Sequence, residues 1–352
     1  MRSLSSLLFA LTVSLAVAGC DSSDNQPEEE DGPYPSLKQR ADFPVGVALS
    51  AGMLDDPRYV QIYGRVFDSF TAEWQMKPVP IWAGPGSYNW TAADRIVNFA
   101  NQFGMRVHGH TLVWHSATPG WIENFNGSGE EFEALVREYI HTVVSRYGDR
   151  VESWDVVNEA INDGNGLLRN SVYRRLMGPD YVARCFEYAH EADPDALLFY
   201  NDYGIEWDMQ KRQAMFALID DLLARGVPIH GVGVQMHVSH NWPEMSQIAV
   251  LLNEIAQRNL RVHLSEVDVR INPDGDITAP TPARLESQKQ RMSSIVQVFR
   301  SLPDNLEHGI TFWGLRDPDS WLISFWGQPE WPLLFDADLE PKPAYFGFLE
   351  AL

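Results

Sequence analysis

The sequence predicts an α/β fold in which eight strands and their intervening helices close into one (β/α)8 barrel. Three observations carry this. Strand-like and helix-like segments alternate from about residue 41 to the end, the pattern of βαβ units on a parallel sheet. No internal repeat and no composition break divides that stretch. Several of the strands also run from apolar residues into a carboxyl or amide at their tips, and in a barrel the strand tips share the catalytic face.

The first residues precede the barrel. Arg2 supplies a positive start, Leu7 to Val17 an apolar run, and Ala16, Ala18 and Gly19 the small residues of an export signal over 1–19. The run is too short for an ordinary spanning helix. Cys20, directly after Val17-Ala18-Gly19, resembles a bacterial lipobox cysteine. The resemblance implies cleavage before Cys20 and its lipidation, the plain alternative being a secretory signal with an incidental cysteine. Residues 20–37, rich in Asp, Glu, Ser and Pro, read as a disordered acidic tether, and 38–352 as the catalytic domain. The only other cysteine, Cys185, lies among the apolar residues of a predicted helix over Asp180–Glu191 and reads as a small buried hydrophobe.

Strands are expected over Phe43–Ser50, Arg65–Ala72, Met105–Val113, Val151–Asn158, Ala196–Tyr200, Val232–Met236, Val262–Ser265 and Gly309–Phe312. Helices are expected over Ala92–Phe103, Glu130–Tyr147, Met209–Arg225, Met245–Arg258 and Pro282–Leu302. Glu130–Tyr147 carries Phe132, Leu135, Val136, Tyr139, Ile140, Val143, Val144 and Tyr147 at helical spacing. Ser128 and Glu131 make a capping box at its start.

The net charge of -21 excludes the basic footprint of a nucleic-acid binder and electrostatic docking on an anionic membrane. With 45% hydrophobic and 12% aromatic residues, the chain has ample core for one large domain.

The chemistry gathers at the strand tips. Val151 to Ala160 runs through Trp154, Val156 and Val157 into Asn158 and Glu159, and Arg261 to Asp268 carries Glu266. Two strand-end glutamates are what glycoside hydrolysis needs. Glu73, Lys77, His110, Trp114, Asn201, Asp202, Gln235, His237, Asp268, Trp313 and Trp321 fall at the other tips. Carboxylates and amides meet sugar hydroxyls, and tryptophans offer flat faces for sugar rings. His108-Gly109-His110 is a His-x-His on one strand, spacing that can present two imidazoles to an ion; no further His or Cys cluster in the sequence completes such a site.

Across 41–352 the chain resembles the family-10 glycoside hydrolases, the β-1,4-xylanase family. The matching stretches include Ser87 to Asp94, Gly109 to His115, Trp154 to Ala160, Asn201-Asp202-Tyr203, Gln235-Met236-His237, Ser265 to Asp268, Trp313-Gly314, Leu333 to Asp336 and Pro341 to Tyr345, all in family order. The resemblance implies a retaining mechanism with Glu159 as acid/base and Glu266 as nucleophile, their carboxyls roughly 5–5.5 Å apart. It further implies that Asn158 holds the sugar 2-hydroxyl and that His237 bonds the nucleophile. Asp268, two residues beyond Glu266 on the same strand face, can fix the His237 tautomer. Glu73, Lys77, His110, Trp114, Gln235, Trp313 and Trp321 match glycone-side binding positions.

The chain departs from the family at Trp74 and Ala117, where the family commonly has Asn and Gln gripping the second glycone sugar. Signal, strand tips and resemblance combine to predict an exported, lipid-anchored endo-1,4-β-xylanase, periplasmic or at the cell surface. It is expected to be monomeric, with xylan as its partner, no nucleic acid, no cofactor and no metal. A β-1,4-glucanase or mixed-specificity β-glycanase on the same scaffold and a non-catalytic surface oligosaccharide-binding lipoprotein are the alternatives.

Overall fold

The computed structural model describes residues 32–352. The export signal, Cys20 and the tether up to residue 31 lie outside the described residues.

Eight parallel strands close into a barrel. They are β1 Val45–Leu49, β2 Ser69–Ala72, β3 Arg106–Trp114, β4 Ser153–Asn158, β5 Leu197–Asp202, β6 Gly231–Val234, β7 Arg261–Arg270 and β8 Glu307–Phe312. Closure comes from β8, which pairs with both β7 and β1. The outer helices are α1 Pro57–Val66, α2 Thr91–Gln102, α3 Gly129–Tyr147, α4 Tyr181–Ala192, α5 Met209–Ala224, α6 Met245–Ala256, α7 Pro282–Phe299 and α8 Pro343–Leu349. The expected strands and helices recur with shifted ends. The capping box is made in both directions, Ser128 Oγ accepting from Glu131 N and Glu131 Oε2 from Ser128 N. Cys185 is fully buried in α4, which pushes its thiol pKa up and leaves it a packing residue.

Two expectations are corrected. The second strand begins at Ser69 and not Arg65, because Arg65 and Val66 finish a helix. Asp56 caps that helix by accepting from Arg58 N, Pro57 opens it, and Tyr59, Ile62, Tyr63 and Val66 bury one face. Residues 34–37, expected in the tether, are packed against the barrel instead. Tyr34 packs its ring 5.2 Å from Tyr345 and 5.7 Å from Phe335, under the Arg65 guanidinium at 4.0 Å. Ser36 Oγ donates to the Arg65 carbonyl at 2.7 Å, and Leu37 is fully buried. The acidic, Pro-rich composition hid two apolar anchors, Tyr34 and Leu37.

The lumen is polar. Barrel interiors are usually filled by Val, Ile and Leu. Here buried Ser69, Thr71, His108, His110, Ser153, Asp155, Asn201, His263, Ser265, His308 and Thr311 come from the strands. Glycines make room for them. A Cβ on Gly233 would lie 2.1 Å from Asn201 Oδ1, so β6 must be bare where the Asn201 amide crosses.

Candidate active site

Glu159 stands at the end of β4 with φ 57°, a left-handed conformation that costs a non-glycine residue about 1–3 kcal/mol. The surroundings hold it there. Glu159 N donates to the Asn201 carbonyl at 2.9 Å, Arg169 Nε donates to the Glu159 carbonyl at 3.0 Å, and Ala160 N donates to Tyr200 Oη at 3.1 Å. The kink turns the Glu159 side chain over the barrel mouth. Its Oε1 accepts from Gln235 Nε2 at 3.1 Å and Asn158 Nδ2 at 3.3 Å.

Glu266 lies within β7, which runs on to Arg270 and so carries Asp268 as well. Asn201 Nδ2 donates to Glu266 Oε1 at 2.8 Å, and His237 Nε2 lies 3.4 Å from Glu266 Oε2. His237 Nδ1 is 2.9 Å from Asp268 Oδ2, which also accepts from Trp321 Nε1 at 3.0 Å. Burial pushes the Glu266 carboxyl up, but the His237 hydrogen bond and the charges of His110, His237 and Lys77 outweigh it and hold the group below its ordinary value. For His237 burial favours the neutral ring, yet Asp268 and Glu266 prevail and push it up to about 10.

A bridge of amides joins the two acids. Asn158 Oδ1 accepts from Asn201 Nδ2 at 3.0 Å and Gln235 Nε2 at 3.2 Å, while Asn201 Oδ1 accepts from Ser265 Oγ at 2.7 Å. Glu266 is thereby tied to Asn158 through Asn201, and Glu159 both directly and through Gln235.

On one flank, the Lys77 ammonium lies 4.6 Å from the Trp114 ring, 5.4 Å from Trp74 and 5.8 Å from Trp313. Burial pushes Lys77 down, against the pull of Glu266, Glu73 and Glu159. Burial likewise pushes Glu73 up, with Lys77 opposing. His110 Nδ1 is 2.8 Å from Asp155 Oδ2 and its ring is edge-on to Trp313 at 5.3 Å. Every predicted site residue from Glu73 to Trp321 thus belongs to one mouth. Trp74 is 42% exposed there, whereas Ala117 is buried and presents no surface.

Some residues were missed. Asn201, placed at a strand tip but given no role, holds Glu266; its position between two such tips was the available signal. Asp155 orients His110 from the next strand. Tyr203, Arg169, Asp163 and Lys211 bond to one another next to Glu159, whose carbonyl accepts from Arg169, and beside Asp202, whose carboxyl is pushed up to about 6 by burial despite Lys211 at 2.9 Å. The His-x-His reading also needs correction. His110 reaches the mouth, while His108 turns into the lumen and meets His263 and His308, which only the closed barrel brings near it.

A family model described as Glycosyl hydrolase family 10 matches residues 36–351. The chain is 39% identical over 315 residues to endo-1,4-beta-xylanase B of Paenibacillus barcinonensis, spanning 86% of this chain and 94% of that protein. It is 38% identical over 350 residues to a beta-1,4-xylanase of Dictyoglomus thermophilum, spanning 97% and 96%. Among solved structures, a family-10 protein from Paenibacillus barcinonensis superposes with a TM-score of 0.86 at 35% identity, over 90% of this chain and 97% of that one. A xylanase from Cellvibrio japonicus in complex with xylopentaose superposes at 0.87 and 35% identity, over 90% and 68%.

Proposed function

Because this chain belongs to glycosyl hydrolase family 10, we propose that it is an endo-1,4-β-xylanase acting by retaining double displacement. Glu266 is the nucleophile and Glu159 the acid/base. A Glu266 oxygen attacks the anomeric carbon as the glycosidic C–O bond breaks, and Glu159 gives its proton to the leaving oxygen. Glu159, now a carboxylate, takes a proton from water as that water attacks the glycosyl-enzyme and releases Glu266.

The observation that supports this assignment best is the difference between the two carboxyls. Glu266 faces the His237 imidazolium, Lys77 and the Asn201 amide, which favour its anion. Glu159 receives only the neutral amides of Gln235 and Asn158 at Oε1. Glu266 is thus held as the anion that a nucleophile must be. Asn158 holds the 2-hydroxyl of the reacting sugar, His237 and Asp268 position Glu266, and Glu73, Lys77, His110, Trp114, Gln235, Trp313 and Trp321 bind the glycone. Trp74 adds a flat face to that flank in place of an amide. The relatives are xylanases by name, and nothing in the site favours the glucanase or the non-catalytic binder.

The enzyme is exported and held on a membrane through lipid on Cys20. That part rests on the sequence of residues 1–20; among the described residues no helix is long and apolar enough to cross a membrane. A Cys20→Ala chain that still fractionates with membranes overturns it. The activity is tested by sizing products from unsubstituted xylan and a β-1,4-glucan over time. Mixed short xylo-oligomers, absent with Glu266→Ala, are expected. No release from xylan, or faster release from glucan, overturns it.

A further inference from the structure

Beneath the catalytic mouth, His108 on β3, His263 on β7 and His308 on β8 meet inside the barrel, all three at most 1% exposed. Strands β3 and β7 are not neighbours in the sheet, so only the lumen can bring their side chains into contact. One nitrogen from each ring lies within 4.8 Å of the other two, and this is the one such histidine group among the described residues.

The rings share a second feature. Each has one nitrogen on a hydroxyl: His108 Nδ1 lies 2.7 Å and His308 Nε2 3.2 Å from Ser153 Oγ, and His263 Nε2 2.8 Å from Thr311 Oγ1. His108 Nε2 faces Asp155 Oδ1 at 3.1 Å. His263 Nδ1 and His308 Nδ1 have no hydrogen-bond partner in the protein. Buried polar atoms left this way are uncommon. One nitrogen fixed by an oxygen and the other left with its lone pair, as in His263 and His308, is how imidazoles are oriented toward metals.

The spacing agrees. Three imidazoles on one tetrahedral ion, with metal–nitrogen bonds of about 2 Å, place their ring centres about 5 Å apart. The observed separations are 4.5 Å for His108–His263, 5.1 Å for His263–His308 and 5.8 Å for His108–His308.

We propose that His108, His263 and His308 form a buried site for one divalent first-row transition-metal ion, zinc being the natural fit to three imidazoles. The ion is structural. Asp155, beside His108, supplies compensating negative charge and joins the site to the sugar-binding flank through His110. The lumen is sealed from solvent, so the ion enters while the barrel folds.

The test refolds the full chain from denaturant with Zn2+ or Co2+, then strips exposed ions by gel filtration in chelator. One equivalent of metal should remain, with visible ligand-field bands for Co2+. The melting midpoint should rise by several degrees over chain refolded in chelator. His263→Gln should lose the metal and the bands while still cleaving xylan. Absence of retained metal together with identical melting in zinc and chelator overturns the site. So does full retention of metal by His263→Gln, since the ion would then sit elsewhere. Should His263→Gln not fold, the wild-type Co2+ spectrum and His308→Gln decide.

Discussion

One imidazole serves two carboxylates: His237 lies 2.9 Å from Asp268 through Nδ1 and 3.4 Å from Glu266 through Nε2. A histidine placed so holds its proton well beyond the usual range, and its charge in turn keeps Glu266 ionised. Geometry and electrostatics therefore point the same way.

That coupling sets a pH window. The folded His237 pKa is raised to about 10, above its unfolded value of about 6.5. Its contribution to stability is fully present below about pH 6.5 and is lost as pH rises through about 10. Wild type should therefore lose more of its unfolding midpoint between these pH values than His237→Gln does. Parallel profiles for the two proteins would show that the pair contributes nothing.

Asn201→Ala removes a charge-assisted donor from Glu266 and a partner from Asn158. Hydrogen bonds to charged groups contribute about 1.5–3 kcal/mol, so kcat/KM should fall roughly 10- to 150-fold. Losing a donor to the anion raises its pKa. The acid limb of the pH–rate profile should move upward with it, an effect that simple loss of packing would not give.

Glu159→Ala should cut turnover of xylan by about 10²–10⁴-fold, the usual contribution of a general acid or base. An aryl xyloside with a good leaving group needs no proton, so its glycosylation step should survive. Added azide should then restore turnover and release a β-glycosyl azide. A variant equally inactive on both substrates would place the acid elsewhere.

A chain beginning at residue 38 should be less stable than one beginning at residue 32. It lacks Tyr34, which is packed on Tyr345 and Phe335, and the buried Leu37. Burying one such side chain contributes about 1.5–3 kcal/mol. The shorter chain should melt several degrees lower in calorimetry, with little change in kcat.

The catalytic tips were legible because each is local: an apolar run ending in Asn158-Glu159 or Glu266 is complete within ten residues. Helix α3 was legible for the same reason, its cap and its apolar stripe being contiguous. The start of β2 was not. Val66 and Phe67 suit a strand in isolation, and the Asp56 cap and the packing of Tyr59 and Ile62 decided for helix. Tyr34 was hidden by its acidic neighbours, since composition averages over the very side chain that anchors.

By itself the sequence determined the alternation that makes a barrel, the two acids and the tryptophans around them, because period and residue type are properties of short segments. Only the tertiary structure decided which partners each group acquired. Asn201 reaches Glu266 past β6, Asp155 meets both His108 and His110, and His108 meets His263 and His308. Those contacts join residues on different strands, and assembly of the barrel is the physical event that creates them.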